Sequence, residues 1–354
     1  MGFEANVRKV VPYVPGEQPN RPNMIKLNTN ECPYPPAPEV AEVLEALKAD
    51  DMRLYPDPTA DSLLQALSDV YHMPKEQIFV GVGSDDVLAM AFLTFFNSDK
   101  PVLFPDITYS FYDVWADLFR IPYQKCALDE AFQINPEDYR HPNGGIVFPN
   151  PNAPTGVLMA LDQIEEIVAA NPDVVVIVDE AYVDFGGRSA LPLVDKYENL
   201  LVVQTFSKSR AMAGMRIGYA FGSRKLIGFL NDAKFSFNSY TMNRPSLAAG
   251  AACVRNETYF KEITDKIVAT REWTKKELAK LGFEFPDSYA NFIFAAHKSV
   301  PAEEIYQALR EQDIYVRYFK KPRIDNYLRI TIGTDAQMQA LIDFLKEYLS
   351  NKNI

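Results

Sequence analysis

Short apolar runs alternate with segments of helical periodicity along most of this chain. An unbroken apolar run such as 174–178 suits a strand that is buried on both faces of a sheet, and apolar residues at helical spacing recur in segments such as 61–71. This alternation predicts an α/β fold in which a mostly parallel sheet is sandwiched between helices. The strands predicted for this sheet are residues 78–80, 101–104, 145–148, 174–178 and 201–205.

The two ends of the chain depart from this pattern. A long helical segment over 256–281, three strand-like segments and a last helix over 335–349 predict a smaller α+β domain at the C-terminal end. Prolines recur between residues 12 and 38, which excludes a long helix there and favours an extended path over a surface. The three strand-like segments are 292–295, 315–318 and 327–332. The expected division is an extended N-terminal arm over 1–30, a large domain over 31–240 and a small C-terminal domain over 241–354.

Composition and charge narrow the class of protein. Apolar residues make up 47% of the 354 residues and charged residues 23%, which is the balance of a globular protein. The formal net charge of -11 argues against nucleic acid or an anionic membrane as the main partner. The N-terminus has no apolar run of signal-peptide length, and no later run approaches the length of a membrane span. The three cysteines form no CxxC pair. We therefore expect a cytoplasmic protein with no membrane or nucleic-acid partner.

Chemically distinctive residues follow three of the predicted strands. After 78–80 comes Gly-Val-Gly-Ser-Asp (81–85), where a glycine turn and a helix start could cradle a phosphate. The third glycine of a dinucleotide fingerprint is missing, so NAD is disfavoured. Asp179 ends another strand, and Lys208 follows a third, with Arg216 eight residues later. Taken singly, the glycines could form an ordinary turn, Asp179 could be a helix cap or part of a salt bridge, and Lys208 could be an ordinary solvated lysine.

Taken together, the motifs resemble those of the fold-type I aminotransferases that depend on pyridoxal 5′-phosphate (PLP). The resemblance covers nearly the whole chain, and the pieces occur in the family's order. It implies the PLP-transferase fold type I and PLP as the cofactor. The matching motifs are Gly-x-Gly-Ser-Asp (81–85), Tyr109, Pro-Asn-Ala-Pro-Thr-Gly (151–156), Val-Asp-Glu-Ala-Tyr (178–182), Ser-Lys (207–208), Gly-x-Arg-x-Gly (214–218) and Leu-Arg-Ile-Thr-Ile-Gly-Thr (328–334).

This resemblance assigns roles to individual residues. Lys208 is expected to hold PLP as a Schiff base and to move the proton during the reaction. Asp179 is expected to bind the protonated ring nitrogen and Tyr182 the phenolic oxygen, while Tyr109 stacks on the ring. Asn152 is a departure, because the family's Asn position holds Ala153; either Asn152 makes the contact with the phenolic oxygen or the contact is absent. The residues expected around the cofactor phosphate are Gly83, Ser84, Asp85, Thr205, Ser207 and Arg216.

Other segments resemble those of one subfamily, the histidinol-phosphate aminotransferases. In that subfamily the tyrosine at Tyr55 reaches the phosphate of the partner subunit's cofactor, which implies a homodimer. Two late arginines, Arg317 and Arg329, are expected to bind substrate anions, although Arg317 could instead form a surface ion pair. Tyr13 and Asn30 are expected to complete the pocket around an imidazole. The segments that carry this resemblance are 11–16, 27–34, 55–58, 315–317 and 327–329.

The resemblance implies a transaminase of histidine biosynthesis. Its small-molecule substrates would be L-histidinol phosphate, a phosphate ester that donates the amino group, and 2-oxoglutarate, in a ping-pong mechanism. Two alternatives remain open: an aminotransferase with aromatic or broad specificity, and a PLP lyase similar to threonine-phosphate decarboxylase. A PLP-binding transcriptional regulator is not expected, since it would need a DNA-binding domain and a basic face.

Overall fold

The computed structural model describes residues 2–352, which contain twelve strands and ten α-helices. The strands are β1 (Ile25–Leu27), β2 (Ile78–Gly81), β3 (Val102–Pro105), β4 (Tyr123–Cys126), β5 (Gly145–Pro149), β6 (Val176–Asp179), β7 (Leu200–Thr205), β8 (Gly218–Gly222), β9 (Phe283–Glu284), β10 (Phe292–His297), β11 (Ile314–Tyr318) and β12 (Leu328–Thr331). The helices are α1 (Pro38–Ala46), α2 (Asp61–Tyr71), α3 (Ser84–Phe95), α4 (Tyr112–Phe119), α5 (Leu161–Ala170), α6 (Arg224–Phe237), α7 (Arg244–Arg255), α8 (Glu257–Lys280), α9 (Ala302–Glu311) and α10 (Asp335–Asn351).

The larger sheet has seven strands in the order β2-β8-β7-β6-β5-β3-β4. Strands β3 to β7 pair in parallel, whereas β8 is antiparallel to both of its neighbours. Successive residues of a buried strand face opposite sides of the sheet. Accordingly Val176 and Val178 belong to one hydrophobic cluster, shared with α1, α2, α5 and α7, while Ile177 belongs to another, shared with α3, α4 and α6. The predicted α/β fold, with helices on both faces of a mostly parallel sheet, is confirmed.

The smaller sheet has five strands in the order β1-β11-β12-β10-β9. Helices α8 and α9 pack on it, and α10 packs on α8, around a separate apolar cluster. Strand β1 lies within the predicted N-terminal arm and pairs in parallel with β11, so the arm contributes one strand to this sheet. Helix α7 packs against α1 and α2, beside the larger sheet, although it follows residue 240. The predicted domain limits themselves stay a prediction.

The start of α3 is the glycine turn and helix start that the sequence predicts as a possible phosphate cradle. The N-cap residue is Gly83, with φ of +86°, and no side chain caps the helix. Instead, the Asp86 carboxylate accepts a hydrogen bond from the Val82 backbone N–H at 2.9 Å, which stabilises the turn before the helix. The first backbone N–H groups of α3 are therefore left free for a ligand.

None of the helices within residues 2–352 has both the length and the apolar character needed to cross a membrane.

Candidate active site

The predicted cofactor residues converge at the edge of the larger sheet where its parallel strands end. Asp179 is the last residue of β6 and Thr205 the last of β7, and Lys208 follows three residues beyond. Strand β2 ends at the same edge, because Gly81 and Thr205 both pair with Gly218. Ligands of open α/β sheets bind at this edge.

Two adjoining cavities open there. The inner cavity has a volume of about 250 Å³, and the outer cavity one of about 160 Å³. The residues common to both are Thr29, Tyr109, Ala153, Tyr182 and Lys208. The inner cavity is also lined by Gln18, Glu31, Ser84, Asp85, Pro149, Asp179, Ala181, Thr205, Ser207, Ala213 and Arg216. The outer cavity is also lined by Tyr13, Gly16, Asn28, Asn30, Thr108, Ser110, Pro154, Arg317, Phe319 and Arg329.

Asp179 places a buried carboxylate on the wall of the inner cavity. Its side chain accepts hydrogen bonds from the Tyr112 hydroxyl at 2.9 Å and from the Ala181 backbone N–H at 3.2 Å. Burial raises the pKa of this carboxyl to about 6, although both hydrogen bonds act in the opposite direction. A cationic N–H group in the cavity would remove that penalty, because it would supply the charge that the buried carboxylate lacks.

An anion cradle is formed by Gly83, Ser84, Asp85 and Arg216, of which all but Gly83 line the inner cavity. A Cβ atom on Gly83 would lie 2.5 Å from Nη2 of Arg216, so glycine permits the guanidinium to approach the turn. Arg216 Nη2 lies 3.4 Å from the Asp85 carboxylate, which also accepts the Tyr109 hydroxyl at 2.7 Å. Ser207 and Thr205 add hydroxyl groups beside the cradle, 3.0 Å from each other. Hydroxyls, a guanidinium and a helix start are groups that bind phosphate.

Lys208 lies where the two cavities meet. Its ammonium donates a hydrogen bond to the Thr29 carbonyl at 3.4 Å and sits 5.8 Å from the centre of the Tyr182 ring. Since it lines both cavities, this amine can reach a group held in either one. The Glu31 side chain, which also lines the inner cavity, is paired with Lys26 at 2.6 Å rather than with Lys208.

The outer cavity presents two arginines to its ligand. The Nε of Arg329 is enclosed and has no hydrogen-bond partner, and only the Nη2 group binds protein, at the Asn28 carbonyl 3.0 Å away. Burial, with the nearby charge of Arg317, lowers the pKa of Arg329. Arg317 lies over Phe319, and within residues 2–352 it has no carboxylate at ion-pair distance. Two guanidinium groups that line one cavity without a carboxylate partner favour the binding of an anion there.

Tyr13 closes the outer cavity from the N-terminal side. Its ring stacks on Phe111, with 4.2 Å between ring centroids. Gly16 packs beside Arg317, where an added Cβ would lie 3.2 Å from the guanidinium. The segment that carries both residues is held by the Glu17 side chain, which binds Arg310 at 2.9 Å. The arm thus supplies one wall of the outer cavity.

The comparisons with known proteins agree with this geometry. The model of the family "Aminotransferase class I and II" matches residues 22–345. The histidinol-phosphate aminotransferase of Lactococcus lactis subsp. cremoris (strain MG1363) is 52% identical over 352 residues, which cover 99% of each chain. A second relative, histidinol-phosphate aminotransferase 2 of Dechloromonas aromatica (strain RCB), is 53% identical over 96% of this chain and 97% of its own.

The chain belongs to the class I and II aminotransferase family. A solved structure shows the same fold: the histidinol-phosphate aminotransferase from Sinorhizobium meliloti, in complex with pyridoxal-5′-phosphate, superposes with a TM-score of 0.84. It is 24% identical, and the match covers 92% of this chain and 91% of that one. The predicted family and fold type are confirmed.

Aminotransferases of this family depend on PLP, and the inner cavity fits that cofactor. Asp179 provides a buried carboxylate in need of a cationic partner, which a protonated ring nitrogen would be. The anion cradle provides donors for the phosphate. Lys208 provides an amine and Tyr109 an aromatic face on the wall of the same cavity.

Three predicted site residues do not line either cavity: Gly83, Asn152 and Tyr55. Gly83 lies in the turn directly before Ser84, which does line the inner cavity. Asn152 is buried, and its amide donates to the Ile107 carbonyl at 2.9 Å and to the Thr155 hydroxyl at 3.1 Å. Its amide N–H groups therefore hold the loop rather than a ligand, and Ala153 lines the cavities instead. Tyr55 is 77% exposed and stacks on Tyr240, so a role for it requires a second subunit.

Sequence reasoning missed three residues of this site. Tyr112 binds Asp179, Thr29 binds Lys208 through its carbonyl, and Thr331 holds Asn30. Tyr112 is an aromatic in an apolar helix, which usually belongs to a hydrophobic core. The only signal that could have singled it out is its position three residues after Tyr109, to whose carbonyl its backbone N–H donates in the turn that begins α4.

Proposed function

We propose that this protein transfers the amino group between L-histidinol phosphate and 2-oxoglutarate, yielding imidazole-acetol phosphate and glutamate, as a step of histidine biosynthesis. The relatives named above support this substrate pair, because they are about half identical over nearly the full chain and carry the name of that reaction.

The observation that carries the proposal is the charge of the outer cavity. It is lined by Lys208, Arg317 and Arg329, while none of the described residues that line it has a carboxylate. One guanidinium is enclosed with a free Nε, and a phosphate or carboxylate can accept hydrogen bonds from both arginines. The same cations can bind the phosphate of histidinol phosphate in one half-reaction and a carboxylate of 2-oxoglutarate in the other.

PLP, when bound, supplies an electron sink that labilises the bonds at the carbon bearing the substrate amine. Lys208 is the residue that would hold it covalently, and its free amine would then carry the proton to and from that carbon. Asp179 would stabilise the protonated ring nitrogen. Tyr112 would keep that carboxylate in place, since its hydroxyl already binds it at 2.9 Å.

The remaining cofactor contacts follow from the cavity walls. The anion cradle, with Thr205 and Ser207, would bind the phosphate, and Tyr109 would cover one face of the ring. Tyr182 would donate its hydroxyl hydrogen to the phenolic oxygen. Because one outer cavity must accept both substrates in turn, the kinetics are ping-pong.

A homodimer in the cytoplasm completes the proposal. Leu54, Tyr55 and Tyr240 are exposed, and the rings of Tyr55 and Tyr240 stack with 4.6 Å between their centroids. Such exposed apolar clusters are rare on monomers, which supports a dimer interface here. In this arrangement Tyr55 of one subunit would help to hold the cofactor phosphate of the other. The chain would divide into the arm over 1–30, a large domain over 31–240 and a small domain over 241–354, with α7 packed on the large one.

The proposal is tested by the absorbance of the cofactor bound to the purified protein. Histidinol phosphate alone is expected to remove the original band at saturating substrate, and 2-oxoglutarate to restore it. Phenylalanine and threonine phosphate are added in parallel. Conversion by phenylalanine but not histidinol phosphate would move the substrate to an aromatic amino acid, and release of CO₂ from threonine phosphate would indicate a lyase. A protein that binds no PLP would refute the whole proposal.

A further inference from the structure

Asn30 is predicted from the sequence to bind substrate, yet its side chain is already committed to protein contacts. It is 1% exposed and adopts a left-handed backbone conformation, with φ of +56°. Its backbone N–H donates to the Thr331 hydroxyl at 3.0 Å, and that hydroxyl donates back to the Asn30 Oδ1 at 2.9 Å. The Asn291 amide binds the Asn30 carbonyl at 3.0 Å. These three contacts set the direction of the side chain.

The remaining polar group of Asn30 points at Tyr182. Its Nδ2 donates a hydrogen bond to the Tyr182 hydroxyl at 2.9 Å. Tyr182 is 8% exposed, its ring is fixed edge-on against Phe292, and it lines both cavities. Since the amide can only donate through Nδ2, the phenolic hydrogen of Tyr182 cannot point toward Asn30. It is left to point into the cavities.

We propose that Asn30 is a positioning residue that makes the Tyr182 hydroxyl a hydrogen-bond donor toward the cofactor's phenolic oxygen. This inference rests on the proposed function, and it assigns Asn30 to the cofactor rather than to the imidazole of the substrate. Asn30 also joins the two sheets, because Thr331 ends β12 of the smaller sheet and Tyr182 follows β6 of the larger one. The donor direction is therefore set by how the two sheets meet.

The inference predicts a sign for a spectroscopic change. A hydrogen bond to the phenolic oxygen favours the state in which that oxygen carries the full negative charge, so it lowers the pKa at which the bound cofactor changes colour. An hydroxyl that accepts a hydrogen bond is also a stronger donor. Loss of the Asn30 amide should thus raise this pKa, in the same direction as Tyr182→Phe and by a smaller amount.

The experiment is a pH titration of cofactor absorbance in the holoenzyme. Tyr182→Phe is expected to shift the midpoint upward by about one pH unit, the equivalent of one hydrogen bond. Asn30→Ala is expected to give part of that shift. The double variant Asn30→Ala/Tyr182→Phe is expected to match Tyr182→Phe alone, because Asn30 acts through that hydroxyl.

Two further variants guard the result. Asn30→Gly adopts the left-handed backbone without strain, so it separates loss of the amide from a folding defect and should give the same shift as Asn30→Ala. Asn143→Ala removes another buried asparagine, which binds the His141 carbonyl and the Asn171 side chain outside both cavities, and should leave the midpoint unchanged.

An unshifted midpoint in both Asn30 variants would overturn the inference, and so would a further shift when Asn30→Ala is added to Tyr182→Phe. A raised KM for histidinol phosphate without any spectral shift would show instead that Asn30 binds the substrate. Failure of the proposed function gives a different result, since the unchanged protein would then bind no PLP or would not respond to histidinol phosphate.

Discussion

The inner and outer cavities share a wall but are assembled in different ways. The polar groups of the inner cavity come mainly from the ends of strands in one sheet and the turns that follow them, such as Asp179 at the end of β6 and Ser207 after β7. The outer cavity joins the N-terminal arm at Tyr13, the large-sheet loops at Thr108 and the smaller sheet at Arg329. The shape of the inner cavity therefore depends mainly on one sheet edge. The shape of the outer cavity depends on how the two sheets and the arm pack together.

Lys208 belongs to both cavities, so its loss should have the largest effect. Lys208→Ala removes the amine that carries the proton, and we expect turnover to fall by at least about 10³-fold. PLP should still bind through the cradle and Asp179. The measurement is the rate of glutamate formation, with PLP content determined in parallel.

Lys346→Ala, a change on the exposed face of α10, serves as the control and should keep its turnover. Near-normal turnover in Lys208→Ala would show that the Lys208 amine does not carry the proton.

Arg329→Ala separates the two cavities. Loss of a charge-assisted hydrogen bond in an enclosed site should reduce kcat/KM for histidinol phosphate on the order of 10²-fold, while the absorbance of bound PLP stays unchanged. Arg317→Ala should have a smaller effect, roughly 10-fold, because only Arg329 has an enclosed Nε without a partner. If PLP binding is lost with Arg329, the cavities are not independent.

Gly218→Ala tests the inner cavity alone. The added Cβ would lie 2.2 Å from the carbonyl carbon of Gly83 and 2.3 Å from the Ser84 nitrogen, so the cradle backbone must move. Strain of this kind should weaken PLP affinity by about 10-fold or more. Fluorescence titration with PLP measures it.

The matched control is Gly228→Ala, where an added Cβ meets nothing within 4 Å. Unchanged PLP affinity in Gly218→Ala would show that the cradle does not depend on this close approach.

The least pronounced change is expected for Asp179→Asn, in the pH dependence of the free energy of unfolding of the cofactor-free protein. The pKa of Asp179 is raised by burial to about 6, so the folded chain binds a proton there that the unfolded chain has released. Stability therefore falls as pH rises through the folded pKa, by about 1 kcal/mol between about pH 5 and about pH 7. Asp179→Asn should lack this contribution in urea unfolding of the cofactor-free protein. Parallel pH curves for both proteins would contradict the raised pKa.

Much of the fold could be predicted from the sequence because buried strands and amphipathic helices have distinct periods. Helix 61–71 was predicted with the limits that the structure has, and the predicted run 201–205 lies within β7. Strand β1 was not predicted, since Ile25–Leu27 is only three residues long and lies among prolines. Its pairing with β11 depends on contacts that no local pattern records.

The cofactor side of the site was also accessible from the sequence. Asp179 ends β6, Lys208 follows β7 by three residues, and Arg216 precedes β8 by two. Residues at the ends of neighbouring strands come together at one edge of a sheet. The structure places all three on the inner cavity. Their roles toward PLP stay predictions that the variants above test.

The contacts of the Asn152 side chain could not be predicted from the motif. The spacing of Asn152 in the motif suggested a ligand contact, but its amide is used by the Ile107 carbonyl and the Thr155 hydroxyl. A motif gives the residue type and its position along the chain, and it does not say which way the side chain points.

The amino-acid sequence was enough to predict the fold class, because buried strands and amphipathic helices differ in period. It was also enough to predict the family and its cofactor, because the ordered motifs resemble those of a known family. The surroundings of Asn30 could not be predicted in this way, because it binds Thr331, 301 residues away along the chain, and Tyr182, 152 residues away. Hydrogen bonds require groups to meet within about 3 Å at defined angles. That condition is met only after both sheets and the arm have packed together.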